Sequence, residues 1–265
     1  MIFNKLIFSV ENNFIKLLID MHLNELKKIM FLDIETVPQV ANFSDLPDEL
    51  AHLWEEKFHH LRKHLPEKYN EETTASEAFH TSAGIYSEFG KIICIAVGFI
   101  HFKEEEMFLR TKYFINEEEK ELLREFSQLI EKFGSSKENR LCGHNIKEFD
   151  VPYICRRMLI NNLPLPSIFQ LSGKKPWESS LIDTMELWKF GDYKNFTSLK
   201  LLTAVFNIPT PKDDIDGSEV AQVYYKEKNI QRIAQYCTKD VIATTQVFLR
   251  LNGFPPILAE NIENL

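Results

Sequence analysis

Asp33 and Glu35 stand one residue apart at the end of an apolar run, Ile29-Met30-Phe31-Leu32-Asp33-Ile34-Glu35-Thr36. Residues i and i+2 of a strand project to one face, so the run predicts a strand that aims both carboxylates at a single point while Phe31, Leu32 and Ile34 bury it. Like charges at that distance repel or take up protons unless a counter-ion intervenes. A hard divalent cation such as Mg²⁺ or Mn²⁺, which prefers oxygen ligands, is the usual answer. Alone, the pair is explained as well by two solvated groups at a strand end. Further acidic positions downstream change that balance.

The second position is Asp150, in Gly143-His144-Asn145-Ile146-Lys147-Glu148-Phe149-Asp150-Val151-Pro152-Tyr153. Here Asn145 reads as a helix cap, Phe149 as an inward-packing ring, and Asp150 as a residue of the first helical turns facing the end of the preceding strand. The third is Asp240, in Tyr236-Cys237-Thr238-Lys239-Asp240. Ile230, Ile233, Cys237, Val241, Thr244 and Phe248 form the buried stripe of a helix, which leaves Tyr236 and Asp240 one turn apart along its edge. An Asn cap, an early-turn Asp and an edge Asp beside a packed Tyr are each ordinary; their combination is less so.

The elements that must position these residues follow from periodicity. After the first strand, Leu46, Leu50, Leu53, Trp54, Phe58, Leu61 and Leu65 fall at helical spacing, and polar residues 66–82 read as loop or short helix. His52, His59, His60 and His64 lie on or near that helix and read as solvated rather than metal-binding. Lys91–Ile100 and Met107–Phe114 predict a hairpin closed by the acidic turn 103–106. Asn116 reads as the cap of a helix running to Phe133 and stopped by Gly134. Arg140–His144 is a short strand. Thr197 or Ser198 opens a helix with Leu199, Leu202, Val205 and Phe206 inward. Asp183 reads as a helix cap rather than an extra carboxylate of the site. Three antiparallel strands followed by alternating helices and strands give an α/β class, a mixed sheet flanked by helices, with a helical insertion after the first strand.

Composition bounds the function. With 44% hydrophobic and 26% charged residues over 265 positions, the chain buries a full core. Cys94, Cys142, Cys155 and Cys237 lack metal-site spacing and read as reduced thiols of a cytoplasmic protein. No stretch predicts a membrane span. The net charge of −8 argues against a protein that coats nucleic acid generally. Residues 147–200 nevertheless carry eight Lys/Arg against six Asp/Glu, leaving the rest of the chain at −10. In that segment Lys174, Lys175, Trp177, Tyr193, Lys194 and Phe196 are candidates for a substrate edge. Residues 1–28 read as an N-terminal extension, 46–82 as an insertion and 251–265 as a C-terminal tail around a main domain over 29–250.

Asp33-x-Glu35-Thr36, Asn145-x-x-x-Phe149-Asp150 and Tyr236-x-x-x-Asp240, in that order, resemble the three motifs of DEDD-superfamily exonucleases of the tyrosine-bearing branch. The middle one is similar to that of the proofreading exonuclease domain of B-family DNA polymerases, and the chain resembles stand-alone bacterial predicted 3′–5′ exonucleases related to that domain. The resemblance implies an RNase H-like fold and metal-dependent hydrolysis at the 3′ end of single-stranded or frayed DNA or RNA, DNA favoured, with two divalent cations, Mg²⁺ or Mn²⁺. It implies Asp33, Glu35, Asp150 and Asp240 as metal ligands and Tyr236 as the group that orients the attacking water, since a phenol near pKa 10 is a poor base at neutral pH. Thr36, Asn145 and Phe149, with Lys174, Lys175 and Trp177, are its candidate substrate contacts. A non-catalytic nucleic-acid-binding module is the alternative, and an editing subunit that depends on a polymerase or repair partner is another.

Overall fold

The computed structural model describes residues 23–104, 106–171, 173–175, 178–192, 196–209 and 215–265. A helical turn ending at Leu26, itself buried, leads into β1 (Ile29–Pro38), where residues alternate between two cores. Phe31 and Val37 face one, and Met30, Leu32 and Ile34 face the other, the outcome expected for a central strand covered on both sides. β1 pairs antiparallel with β2 (Gly90–Lys103), and β2 antiparallel with β3 (Glu106–Phe114). The hairpin turns through Glu104, in the left-handed region at φ 56°. β4 (Arg140–Gly143) lies parallel to β1 on its other side, and β5 (Leu181–Asp183) parallel to β4. Residues 251–265, read above as a tail, supply β6 (Ile262–Asn264), parallel to β3. Glu263 there meets Arg110 at 3.2 Å, His101 at 3.1 Å and Lys103. The strand order is β5-β4-β1-β2-β3-β6, a mixed α/β sheet as the sequence predicts.

Between β1 and β2 run α1 (Asp48–His64) and α2 (Ala75–Ser82). α2 opens on a capping box, with Thr74 and Glu77 each bonded to the other's backbone. Trp54, Phe58, Tyr69 and Phe79 give this insertion a small core of its own, with Trp54 edge-on to Phe79 and Phe89. The four histidines are exposed. The chain then re-enters the sheet at Gly90, where any Cβ would collide with the Tyr153 hydroxyl and sit 2.8 Å from the Gly84 carbonyl oxygen.

α3 (Glu119–Gly134) and α4 (Asp150–Ile160) cover the face of Leu32 and Ile34. Asn116 does not cap α3: its side chain accepts from the Glu118 N–H in a turn ahead of the helix, which frees Glu119 for burial. α5 (Thr184–Lys189) and α6 (Leu199–Val205) follow β5; Ser198 caps α6, and Val205, expected inward, is exposed. A short α7 (Val220–Gln222) widens into a π-helical turn over Val223–Glu227. α8 (Ile230–Leu251), capped by Asn229, lies across β1, β2 and β3 on the opposite face, with Phe248 edge-on to Phe31. No helix among the described residues is long and apolar enough to cross a membrane.

Candidate active site

Asp33 and Glu35 share the face of β1 that α8 covers, since their neighbours two residues away, Phe31 and Val37, lie in its core. The register between β1 and β2 slips immediately after Glu35, so Glu35 pairs with Cys94 but Thr36 with Ile92. Such an irregularity re-aims side chains, here at the end of the acidic pair. On the other side, β4 stops pairing with β1 at Phe31 and the chain turns away. Asp150, the first residue of α4, enters the gap, and its Oδ1 accepts the Ile34 N–H at 3.1 Å. The carboxylate of the second motif is thereby bonded to the backbone between the two acidic residues of the first.

The turn that delivers Asp150 depends on a residue the sequence assigns a smaller job. Asp183 caps α5 as expected, accepting from Met185 N–H at 2.9 Å and Glu186 N–H at 3.4 Å. It also accepts the N–H groups of Asn145, at 3.0 Å, and Lys147, at 3.2 Å. Asn145 accordingly does not cap α4: it adopts the left-handed conformation, φ 67°, that Asn tolerates better than most residues, and Phe149 is the residue preceding the helix. His144 ties the same turn down on its far side, its Nδ1 2.9 Å from the Thr184 hydroxyl and its Nε2–H donating to the Thr197 carbonyl at 2.9 Å. Burial lowers the His144 pKa.

From α8 come Tyr236, Cys237 and Asp240. The Cys237 thiol, missed as a site residue, donates to Asp33 Oδ2 at 3.3 Å. Asp33, Glu35 and Cys237 place ligand atoms within 4.8 Å of one another, the one such group among the described residues. Glu35 is nine-tenths buried and accepts no hydrogen bond among the described residues.

The electrostatics follow from this crowding. Burial, then the charges of Asp240, Asp150 and Glu35, push the Asp33 carboxyl well above the usual carboxylate range, against the bond from Cys237. Burial, then Asp240 and Asp150, do the same to Glu35. Asp150 is pushed up to about 7 by burial, with Asp183 and Asp240 adding to it and the Ile34 N–H opposing. The Cys237 thiol is raised by burial and by Cys94, Asp33 and Glu35, so it remains protonated. Four carboxylates from β1, α4 and α8 thus act on one another in a largely dry place, where a divalent cation with oxygen ligands would offset their repulsion.

Thr36 sits beside the Tyr153 hydroxyl, which donates to the Gly84 carbonyl at 2.8 Å. Phe149 packs in the core of the α3–α4 face, 5.4 Å from the Tyr153 ring. Lys174 and Lys175 are exposed in the loop before β5, the Lys175 N–H bonded to Glu178 at 2.9 Å. Trp177, Tyr193 and Lys194 lie outside the described residues.

A sheet of three antiparallel strands extended by parallel β4 and β5, with acidic residues on its central strand and on two flanking helices, defines an RNase H-like exonuclease fold. The sequence pattern of a family described as predicted 3′–5′ exonucleases related to the exonuclease domain of PolB matches residues 85–262, and the chain belongs to that family. Asp150, Tyr236 and Asp240 lie within the matched stretch; Asp33 and Glu35 precede it. No curated protein matches the chain.

Proposed function

We propose that the protein is a metal-dependent 3′–5′ exonuclease that hydrolyses the terminal phosphodiester bond of single-stranded or frayed nucleic acid, with DNA favoured over RNA. The observation that carries this reading is Glu35: a nine-tenths buried carboxylate with no hydrogen-bond donor among the described residues, set against Asp33, Asp150 and Asp240. A cation from outside the chain would offset the mutual repulsion of these four carboxylates.

In this reading Asp33, Glu35, Asp150 and Asp240 would hold two divalent cations, Mg²⁺ or Mn²⁺. Bound there, the cations would activate the attacking water and offset charge on the departing 3′ oxygen. The chain's own residues do the rest. Asp150, bonded to β1, keeps the spacing between the two acidic motifs, and Cys237 orients Asp33 through its thiol. Tyr236, one turn before Asp240, orients the water through its hydroxyl. The catalytic unit starts at residue 29, has 46–82 as an insertion, and takes in β6 beyond residue 250.

The test is release of nucleotides from 3′-labelled and 5′-labelled DNA and RNA single strands, with Mg²⁺, Mn²⁺ or chelator. Early, metal-dependent loss of the 3′ label, abolished in Asp33→Asn and slowed at the turnover step in Tyr236→Phe, is the expected result. A folded, metal-binding protein that releases neither label would overturn the reading.

A further inference from the structure

We infer that Trp188, Phe190 and Phe206 form a stacking platform for the bases of a single strand leading away from the carboxylates. The inference rests on the exonuclease reading and adds where the strand lies. Phe190 ends α5 in the left-handed region, φ 44° and ψ 36°, and is 86% exposed. A bulky residue with positive φ is uncommon, and the side chain it presents recovers almost nothing by burial. Phe196 is 68% exposed, and Leu201 and Val205 on α6 are exposed as well. An apolar patch of this kind on a folded surface marks a binding site more often than chance.

The rings connect this patch to the acidic cluster. Trp188 stands edge-on to Phe190 with centroids 6.5 Å apart, and edge-on to Phe206 at 5.5 Å. Phe206 in turn lines a cavity of about 670 Å³ whose wall includes Asp240, Lys239 and Arg250 of α8 and residues 254 and 256–259, but not Asp33, Glu35 or Asp150. The aromatic path therefore begins in the same cavity as a carboxylate of the acidic cluster and runs outward to Phe190. His144 bonds both to the first residue of α5 and to the segment preceding α6, so the platform is fastened to the turn that carries Asp150.

Its charge fits a polyanion rather than a second protein surface. Lys189 Nζ lies 4.6 Å from the Phe196 ring, and the Arg250 guanidinium 6.0 Å from the Phe206 ring. Glu186 on α5 is engaged by Lys147 at 2.5 Å; Asp192, two residues after Phe190, is an exposed acidic group of the same loop. Lysine is depleted from the cores of protein interfaces, whereas cations interleaved with exposed rings suit phosphates and bases together. A duplex hides the faces of its bases, so the occupant is a single strand.

The experiment compares a 12-nucleotide single strand with a dinucleotide, which is too short to leave the cluster, by kcat/KM in Mg²⁺ and by fluorescence anisotropy of the labelled 12-mer. Phe190→Ala should cut the preference for the 12-mer about tenfold through KM, the size of one lost stacked base. Phe190→Trp should restore it, and Lys189→Ala should flatten the salt dependence of binding. Equal melting temperatures exclude a folding effect. An unaltered preference in Phe190→Ala overturns the inference, as does sedimentation that finds a dimer which this variant dissolves without changing strand affinity. If the wild type hydrolyses neither substrate, the exonuclease reading fails, and anisotropy alone decides the platform: loss of affinity in Phe190→Ala sustains it, and none overturns it.

Discussion

Glu35 and Glu119 are equally hidden, each 9% exposed, and the fold treats them in opposite ways. Glu119 accepts from the Ile92 N–H at 2.7 Å, from Arg157 at 2.5 and 2.9 Å and from Asn161 at 3.0 Å. Arg157 passes its remaining bond to the Ser87 carbonyl at 2.8 Å, locking the start of β2 to α3 and α4. Glu35, on the other side of the sheet, has three carboxylates around it and no donor among the described residues. A buried carboxylate costs free energy unless it is paired. Where the chain supplies the pair, the residue is architecture; where it does not, the fold carries the cost and a ligand can repay it.

Substitutions separate the two cases. The largest effect is expected at the acidic cluster: Glu35→Gln or Asp33→Asn should lower hydrolysis at least about a hundredfold. The same change should leave the metal-free protein as stable as before or more so, because it removes a buried charge. A matching loss of stability in thermal melts would place Glu35 with Glu119 and erase the contrast. Next is Arg157→Ala, which strands Glu119 and should cost about 3–5 kcal/mol in urea denaturation. Activity per folded molecule should survive.

The pH dependence sharpens the comparison further. Asp150 titrates near 7 in the native state against about 3.8 in the unfolded chain, so the native state holds the extra proton between those values. Stability of the metal-free protein should therefore fall as pH rises from about 4 through about 7, with Asp33 and Glu35, raised in the same direction, adding to the fall. Mg²⁺, binding only the native state, should recover it at pH 8. Melting curves at pH 5 and 8, with and without Mg²⁺, measure this, and Asp150→Asn should make the profile shallower, Asp33 and Glu35 supplying the rest; an unchanged slope in that variant would count against the assignment. The smallest effect is Tyr153→Phe, which removes the bond to the Gly84 carbonyl for about 1 kcal/mol.

The strands and the long helix were legible because their signals are local. The run before Asp33 is too apolar and β-rich for a surface, and Tyr236 and Asp240 sit at helical spacing beside a continuous stripe. What escaped is decided at a distance. An Asn offers the same local bond to a helix start or to a turn, and at Asn145 the choice is made by Asp183, 38 positions later. The Glu119–Arg157 pair spans a similar gap; its one trace in sequence is the Arg156–Arg157 pair amid the apolar residues that follow Asp150 on α4. Cys237 was readable as core, but nothing in its spacing announces that its thiol faces Asp33.

The bond between Cys237 and Asp33 joins residues 204 positions apart. Closing so long a loop is slow relative to forming a hairpin or a helix, because chain entropy is lost before the contact repays it. A cluster assembled from both ends of a domain exists only once the intervening sheet has formed. Hydrolytic competence should accordingly appear in the last refolding phase, after native-like far-ultraviolet dichroism has returned, so that half-folded chains carry no cutting edge.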